Sequence, residues 1–460
     1  MSLAEEVVSV LTSIVDADHI RADPTSLERY GVDALGEGRP PDLVVLPGNT
    51  QEVAAIARLC HEQRVPLVVR GGGTGYTGGA VPTRGGVVLS MERFTRILEI
   101  DRTNLLAVVE PNVITADLQR AVERVGLFYP PDPASLESSA LGGNVAECAG
   151  GPRAFKYGTT RRYVLGLEAV LPTGEIVETG SKAVKNVVGY DLTQLLVGSE
   201  GTLAIITRIT LRLIPKPPAR AALLAIFVDV QAAVDAVTAL IERRVVPAAI
   251  ELIDAESLRA VRDQLGEELA PPTAGAMLLV ESDGTQAGVD EEIELVKQAC
   301  RGVGAMRVTL AADEAERERF WNARRLISLA LRATGLLKIN HDVVVPRGRI
   351  PELFGVIDEL REQYRLKIAA FGHAGDGNIH VNLMVDRENA DERARAREAE
   401  RVLFERVVAL EGSISGEHGI GFAKAPYIGI ELSPQEIALM KRVKAAFDPN
   451  GILNPGKIFP

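Results

Sequence analysis

Between residues 41 and 70 the apolar positions change spacing twice. "PDLVVLP" opens with a short unbroken apolar run, which suits a buried strand. In "NTQEVAAIARLCHEQ" the apolar positions Val53, Ile56, Ala57 and Cys60 recur at helical spacing, and Asn49 or Thr50 stands where an N-cap belongs. "VPLVVR" is a second short run, so the segment reads β-α-β, and it ends directly in "GGGTGYTGG". "GVVLSM", "RILEID" and "LLAVVEP" come next as short strands, and "TADLQRAVERVG" as a helix.

Ahead of this block, residues 1 to about 35 read as a helical lead-in with a cap-like "DPTS". A second αβ block covers about 130 to 215 and ends in the strands "EAVLPTGEIVETG" and "TLAIITRITLRLIPKP". "PKPPAR" (215–220) is an extended linker, because neighbouring prolines hold the backbone open. Beyond it a strand at Ala222 to Val228 leads into a helix, and alternation continues to about 310. The helical "DEAERERFWNARRLISLALRAT", strands near 343 and 368–385, and a helical C-terminal part complete the chain. The predicted division is a lead-in (1–40), a first domain (41–218), a second domain (219–425) and a C-terminal segment returning to the first (426–460). The class is α+β.

Composition narrows the chemistry. Fifty-one basic against 62 acidic side chains give a formal charge of −11, which gives a nucleic-acid partner no electrostatic support. Cys60, Cys148 and Cys300 are too scattered for a disulfide framework, a zinc ribbon or an iron–sulfur cluster. "MSLAEEVVSVLTSIV" lacks the basic region and cleavage site of a signal peptide. "AALLAIFVDVQAAVDAVTAL" is broken by Asp229 and Asp235, so it falls short of the roughly 20 apolar residues a bilayer needs. The expectation is a cytoplasmic protein without a transmembrane segment, open to peripheral association with a membrane.

The glycine loop formally contains G-x-G-x-x-G at Gly73, Gly75 and Gly78. A dinucleotide-binding unit of that kind needs a helix immediately afterwards, and "AVPTRGG" supplies a proline and two more glycines instead. No "GK[ST]" is present either, so the P-loop reading also fails. There remains a run of amides without side chains, bordered by Arg70, that suits a phosphate. A plain glycine-rich hairpin is the alternative.

"FGHAGDGNIH" holds two of the six histidines. "LKIAAF" and "NIHVNLMV" on either side read as strands, which makes "GHAGDG" the loop and puts His373 at its edge. His380 and Asn382, two apart, share a strand face. "SGEHGIG" adds Glu417 and His418. Two imidazoles and a carboxylate suit a divalent transition metal, although a polar turn with satisfied histidines fits the same residues. Asp376 reads as a turn residue, His19 and His61 as surface residues, and His341 as ambiguous. Arg324 and Ser328 lie i, i+4 on one helix, so both can face one anion; a solvated basic helix face is the alternative for Arg324 and Arg325.

The strings "VVRGGGTGYTGGAVP", "PPDPAS", "GGNVAECAGGPRAFKYG", "GYDLTQLLVGSEGTLAIIT", "FGHAGDGNIH", "SISGEHGIG" and "AAFDPNGILNPGK" resemble, in this order, the FAD-linked D-2-hydroxyacid dehydrogenases. That group includes the flavin subunit of glycolate oxidase, D-lactate dehydrogenase and D-2-hydroxyglutarate dehydrogenase. The resemblance covers about 40 to 460. It implies the vanillyl-alcohol-oxidase-type fold, with a two-part FAD-binding domain (PCMH-type), an α+β cap domain and a helical C-terminal segment. It further implies that Arg70, Gly71, Gly72, Gly73, Thr74, Gly75, Thr77 and Gly78 wrap the FAD pyrophosphate. Pro131, Asp132, Ser135, Gly142, Gly143, Asn144, Ala146, Tyr157, Gly158, Glu200, Gly201, Ile206 and Asn454 would line the rest of the cofactor. Covalent members of the wider fold tether the flavin to a histidine of the glycine loop; Thr74 stands there, so FAD is expected to be non-covalent.

The same resemblance implies His373, His380 and Glu417 as ligands of a divalent metal (Zn or Mn), and His418 as the base. Arg324, Ser328, Lys338 and Asn382 would hold the substrate. The phenylalanine and histidine of the family's motif are here separated by Gly372, and the spacing from Lys338 to "DVVVP" differs from the hydroxyglutarate enzymes. The implied reaction is oxidation of D-lactate or glycolate to the 2-oxo acid, with D-2-hydroxyglutarate as the alternative substrate. It asks for a base to take the hydroxyl proton, a Lewis acid to lower that proton's pKa, and a flavin to take the hydride. Electrons would pass to a quinone, a cytochrome, an electron-transfer flavoprotein or an iron–sulfur subunit, with a homodimer or a larger complex as the assembly. Three further alternatives are weaker on sequence grounds. A metal-dependent hydrolase leaves the glycine loop unexplained. An ether-lipid synthase of the same fold, or a silent flavin subunit, leaves Glu417–His418 unexplained.

Overall fold

The computed structural model describes residues 3–460. It contains two compact units: Met1–Gly150 with Thr159–Lys216 and Glu417–Pro460, and Gly151–Gly158 with Pro217–Gly416. The unit boundaries fall at 216/217 and 416/417, against 218/219 and 425/426 from the sequence, and Gly151–Gly158 belongs to the second unit.

The first unit begins with the strands β1 (Ile20–Arg21), β2 (Leu43–Val45), β3 (Leu67–Arg70) and β4 (Val87–Ser90), which pair in the order β1-β2-β4-β3. β4 runs parallel to both β2 and β3. The connecting helix Thr50–Gln63 starts on Asn49, whose side chain accepts from the Glu52 amide at 2.9 Å. Its buried face, Val53, Ile56, Ala57 and Cys60, packs against Leu43, Val45, Leu67, Val87 and Leu89 in one apolar cluster. Fully burying residues of this size stabilises by about 1.5–3 kcal/mol each, before the entropy of ordering them.

The next strands are β5 (Ile97–Asp101), β6 (Leu106–Val109), β7 (Leu127–Phe128), β8 (Val164–Val170), β9 (Ile176–Gly180), β10 (Ile205–Arg212) and β11 (Ile214–Pro215). Five form an antiparallel sheet in the order β5-β6-β10-β8-β9, and β7 pairs with β11. The C-terminal residues join this unit at β3: the Leu67 amide donates to Ile452 O at 2.8 Å and the Asn454 amide to Leu67 O at 2.8 Å.

The second unit is built on one antiparallel sheet: β12 (Ala219–Phe227), β13 (Ala249–Asp254), β14 (Ala276–Gly284), β15 (Arg307–Leu310), β16 (Leu337–Val344), β17 (Lys367–His373) and β18 (Asn378–Val385). Their order is β15-β12-β14-β13-β17-β18-β16. Ala222 to Phe227 are all buried, so both sheet faces are covered there. β12 ends one residue earlier than the sequence suggests, and Val228 is exposed. Helices Ala255–Leu269 and Glu314–Ala333 contribute Leu258, Val261, Phe320, Trp321 and Ile327 to a core shared with Leu224, Ile253 and Phe371.

Sheet order is what positions the chemistry. β17 and β18 form a hairpin between β13 and β16, so residues more than a hundred positions apart become cross-strand neighbours. Glu251 lies opposite His373, and Asp342 opposite His380. His373 is the last residue of β17, not a loop residue. The turn closes when the amides of Asp376 and Gly377 donate to His373 O, at 3.3 and 3.0 Å. Gly377 has φ +86°, and a Cβ there would meet Val345 O at 2.0 Å, so this turn requires glycine.

Candidate active site

In the first unit the glycine loop leaves β3 with an open face. Among the described residues the amides of Gly71 to Gly75 donate to no protein acceptor. A Cβ on Gly143 would meet nothing within 4 Å, and one on Gly75 only Asp33 Oδ2 at 3.8 Å. The opposite side is closed: a Cβ on Gly72 would meet Ser138 O at 2.5 Å and one on Gly142 would meet Pro111 Cβ at 2.6 Å. Arg70 donates to Val32 O at 2.7 Å and lies beneath Gly73. Unpaired amides on one side and close packing on the other form a fixed concavity for an anion, which fits the pyrophosphate of FAD.

The loop also carries the 417–423 segment. Thr77 Oγ1 donates to His418 O at 3.0 Å, and Thr77 O accepts from the amides of Phe422 and Ala423 at 3.1 and 3.2 Å. The Tyr76 and His418 rings lie 5.2 Å apart. From the other side, Glu200 accepts from the amides of Ile420 and Gly421, at 2.8 and 2.7 Å. Burial raises the Glu200 pKa, and those two amides offset part of the rise. His418 Nε2 lies 3.9 Å from Glu417 Oε1, and Glu417 rests against Gly150, where a Cβ would meet its Oε2 at 2.8 Å.

Asn454 ties the C-terminal segment to this loop, its amide donating to Gly79 O at 2.9 Å and Glu200 O at 2.7 Å. Several residues expected at the cofactor have hydrogen-bond or strand partners within the unit. Asn144 donates to Thr115 Oγ1 at 2.6 Å, Pro131 O accepts from Gln119 at 2.8 Å, and Ser135 O accepts from the Ser138 and Ser139 amides at 2.8 and 2.7 Å. Ala146 O accepts from the Glu200 amide at 2.8 Å, Gly201 has φ +64°, Asp132 is buried, and Ile206 pairs with Ala169 across β10 and β8. Tyr157 and Gly158 lie in the second unit, where the Tyr157 hydroxyl donates to Asp283 Oδ2 at 2.7 Å.

The second unit brings the two histidines of the hairpin together. The rings of His373 and His380 stand edge to face, 5.2 Å between centroids, and both residues are buried. His373 Nδ1 is held at 2.6 Å by Glu251 Oε1, which points Nε2 of that ring away from the carboxylate. Glu251 Oε2 accepts from Arg324 Nε at 2.5 Å, and the guanidinium carbon sits 4.5 Å from the centre of the Phe371 ring. Burial alone would push the Glu251 carboxyl up; the neighbouring His373 ring and the Arg324 guanidinium outweigh it and hold the group below the usual carboxylate range. Two imidazoles, one oriented by a carboxylate as metal-binding histidines are, form a donor set that fits a divalent transition metal.

Lys338 Nζ donates to Ser328 Oγ at 2.7 Å, so two of the expected substrate residues meet. Asn382 is fully buried and its amide is used within the sheet: it donates to Ala369 O and His380 O, both at 3.1 Å, and accepts from Asn340 at 2.7 Å. In this structure it supports the backbone that carries His380. Asp342, opposite His380, accepts from the Gly416 amide at 2.9 Å. Gly416 immediately precedes Glu417 in the chain.

Sequence reasoning missed Glu251, Asp342 and Asn340. For Glu251 a signal existed: "AAIELID" places a carboxylate inside an apolar strand, and such a residue is rarely fully buried without a partner. Nothing in the sequence named His373 or Arg324 as that partner.

A glycine loop with open amides stands in one unit, and a buried histidine–carboxylate–arginine network in the other. Residues 41–180 match the FAD binding domain and residues 216–458 match the C-terminal domain of FAD linked oxidases. The chain belongs to the FAD-linked oxidases and is an oxidoreductase. It is 45% identical over 431 residues to glycolate oxidase subunit GlcD of Bacillus subtilis, covering 94% of this chain and 92% of that one. It is 36% identical over 452 residues to a D-lactate dehydrogenase of Anaerostipes hadrus, covering 97% and 94%. Among solved structures, p-cresol methylhydroxylase superimposes with a TM-score of 0.82 at 19% identity, covering 98% of this chain and 96% of that one. 4-Ethylphenol oxidase from Gulosibacter chungangensis superimposes with a TM-score of 0.80 at 21% identity, covering 100% and 98%. These two share the fold, and the expected α+β class with a PCMH-type FAD-binding domain holds. No described helix is long and apolar enough to cross a membrane.

Proposed function

We propose that the chain oxidises a small D-2-hydroxy acid, D-lactate or glycolate, to the 2-oxo acid, with non-covalent FAD as hydride acceptor. The substrate class rests on the glycolate oxidase and D-lactate dehydrogenase relatives. The observation that carries the mechanism is the attachment of His418 to the glycine loop through Thr77 and Tyr76, which fixes a candidate base to the cofactor-binding loop.

His418 takes the hydroxyl proton, a role imidazole can fill near neutral pH, and general-base catalysis of this kind contributes about 10²–10⁴-fold. Arg324, Lys338 and Ser328 hold the substrate carboxylate, while Asn382 supports the His380 backbone and leaves the substrate to them. His373, His380 and Glu417 would hold a divalent metal, Zn or Mn, which supplies Lewis acidity at the hydroxyl. FAD, when bound, supplies the hydride acceptor. The first unit's remaining task is to grip the pyrophosphate with the Gly71–Gly78 loop. Electrons then leave to an external acceptor, a quinone, a cytochrome, an electron-transfer flavoprotein or an iron–sulfur partner. The scattered cysteines supply no cluster of the chain's own.

His418→Ala tests the assignment. The variant is expected to keep its flavin spectrum and its metal content while substrate-driven flavin reduction slows by about 10²-fold or more. Reduction at the wild-type rate would remove His418 as the base.

A further inference from the structure

Glu251 is fully buried on β13, and each of its oxygens is committed to a different functional side chain. Oε1 holds His373 Nδ1 at 2.6 Å, and Oε2 holds Arg324 Nε at 2.5 Å. The two partners arrive from separate elements, the end of β17 and the helix Glu314–Ala333. Phe371 reinforces the link, with the Arg324 guanidinium over one side of its ring and the His380 ring 5.4 Å away.

We infer that Glu251 is a positioning residue that couples metal binding to substrate-carboxylate binding. The inference rests on the reading above of His373 as a ligand and Arg324 as a carboxylate anchor. By accepting from Nδ1–H, one oxygen selects the His373 tautomer whose Nε2 lone pair is available to a metal. Through Nε–H, the other sets the plane of the Arg324 fork and leaves its terminal nitrogens as the edge that meets a carboxylate. One rigid carboxylate thus fixes both geometries, and a disturbance on either side reaches the other. A carboxamide cannot do this, because it accepts on one side only. In Glu251→Gln, either Arg324 loses its acceptor or His373 flips to the tautomer with Nε2 protonated.

The test measures, on purified holoenzyme, zinc affinity by competition with a chromophoric chelator, and KM and kcat for D-lactate. Glu251→Gln is expected to weaken zinc by about 10–100-fold and to raise KM by about tenfold or more in the same protein, with flavin absorbance intact. Glu281→Gln is the control: Glu281 is an equally buried carboxylate of the same sheet, bonded to Arg317 and Trp321 at 2.7 and 2.5 Å. It should lower the unfolding midpoint and leave zinc affinity and KM within twofold, roughly, of wild type. A second measurement needs no variant. In metal-free wild type, ¹⁵N-labelled histidine spectra of the six imidazoles should show a neutral His373 protonated on Nδ1 and not on Nε2. Unchanged zinc affinity and KM in a flavin-loaded Glu251→Gln protein would overturn the inference, as would a neutral His373 protonated on Nε2 instead of Nδ1. Wild type that takes up no zinc or manganese would instead overturn the metal site on which the coupling rests.

Discussion

Lys338 offers a perturbation whose size is set by its surroundings. Its ammonium donates to Ser328 Oγ, and burial pushes its pKa from 10.5 down to about 7, with the guanidinium groups of Arg332 and Arg324 adding to the effect. The folded chain releases this proton above about pH 7, while the unfolded chain keeps it to about 10.5, so stability rises with pH across that window. A displacement of that size corresponds to about 5 kcal/mol at most, at about 1.4 kcal/mol per unit. Ligand binding runs the other way, because a bound carboxylate needs the charged ammonium. Affinity should be level below about pH 7 and then fall about tenfold per pH unit, reaching about 100-fold at pH 9. The 2-oxo acid product is the right probe, since it carries the carboxylate but no hydroxyl proton for His418 to take. Its dissociation constant can be read from perturbation of the oxidised flavin spectrum. Lys338→Met should bind more weakly at low pH and show no slope. A wild-type constant that stays level between about pH 6 and pH 9, or a Lys338→Met variant with the wild-type slope, would refute the reasoning.

Gly78 has φ +77°, and a Cβ there would overlap the Phe422 ring at 2.0 Å. Gly78→Ala therefore combines about 1–2 kcal/mol of backbone strain with about 1–3 kcal/mol of overpacking, and gel filtration should recover protein with sub-stoichiometric FAD. Asn454→Ala removes buried hydrogen bonds to Gly79 O and Glu200 O; a loss of about 2–3 kcal/mol should appear as a lower denaturant midpoint of the flavin-bearing unit. Treatment with a strong chelator should abolish flavin bleaching by D-lactate while leaving FAD bound, and added zinc or manganese should restore it; unaffected bleaching would exclude a metal role.

Much of the first unit was legible because its elements announce themselves locally. Asn49 ahead of Val53, Ile56, Ala57 and Cys60 specifies a capped amphipathic helix, and the flanking apolar runs specify buried parallel strands. The glycine loop was separable from a dinucleotide fold because Pro82, just beyond it, rules out the helix that fold requires. The network around His373 was not legible, because it depends on the order of strands within the sheet. Glu251 meets His373 only through the pairing of β13 with β17, and no local pattern encodes a partner 122 positions away. Gly151–Gly158 shows the same limit. Its composition matches its neighbours, yet Lys156 and Tyr157 bond to Asp283 in the second unit, and only tertiary structure reveals that excursion.

The central claim is that this chain moves a hydride from a D-2-hydroxy acid to its flavin. Anaerobic mixing of the oxidised holoprotein with glycolate, D-lactate, L-lactate and D-2-hydroxyglutarate, with flavin absorbance as the readout, tests it without any assumption about the physiological acceptor. Bleaching by D-lactate or glycolate, with L-lactate much slower, is the predicted result. A flavin that stays oxidised with both D-lactate and glycolate would contradict the account.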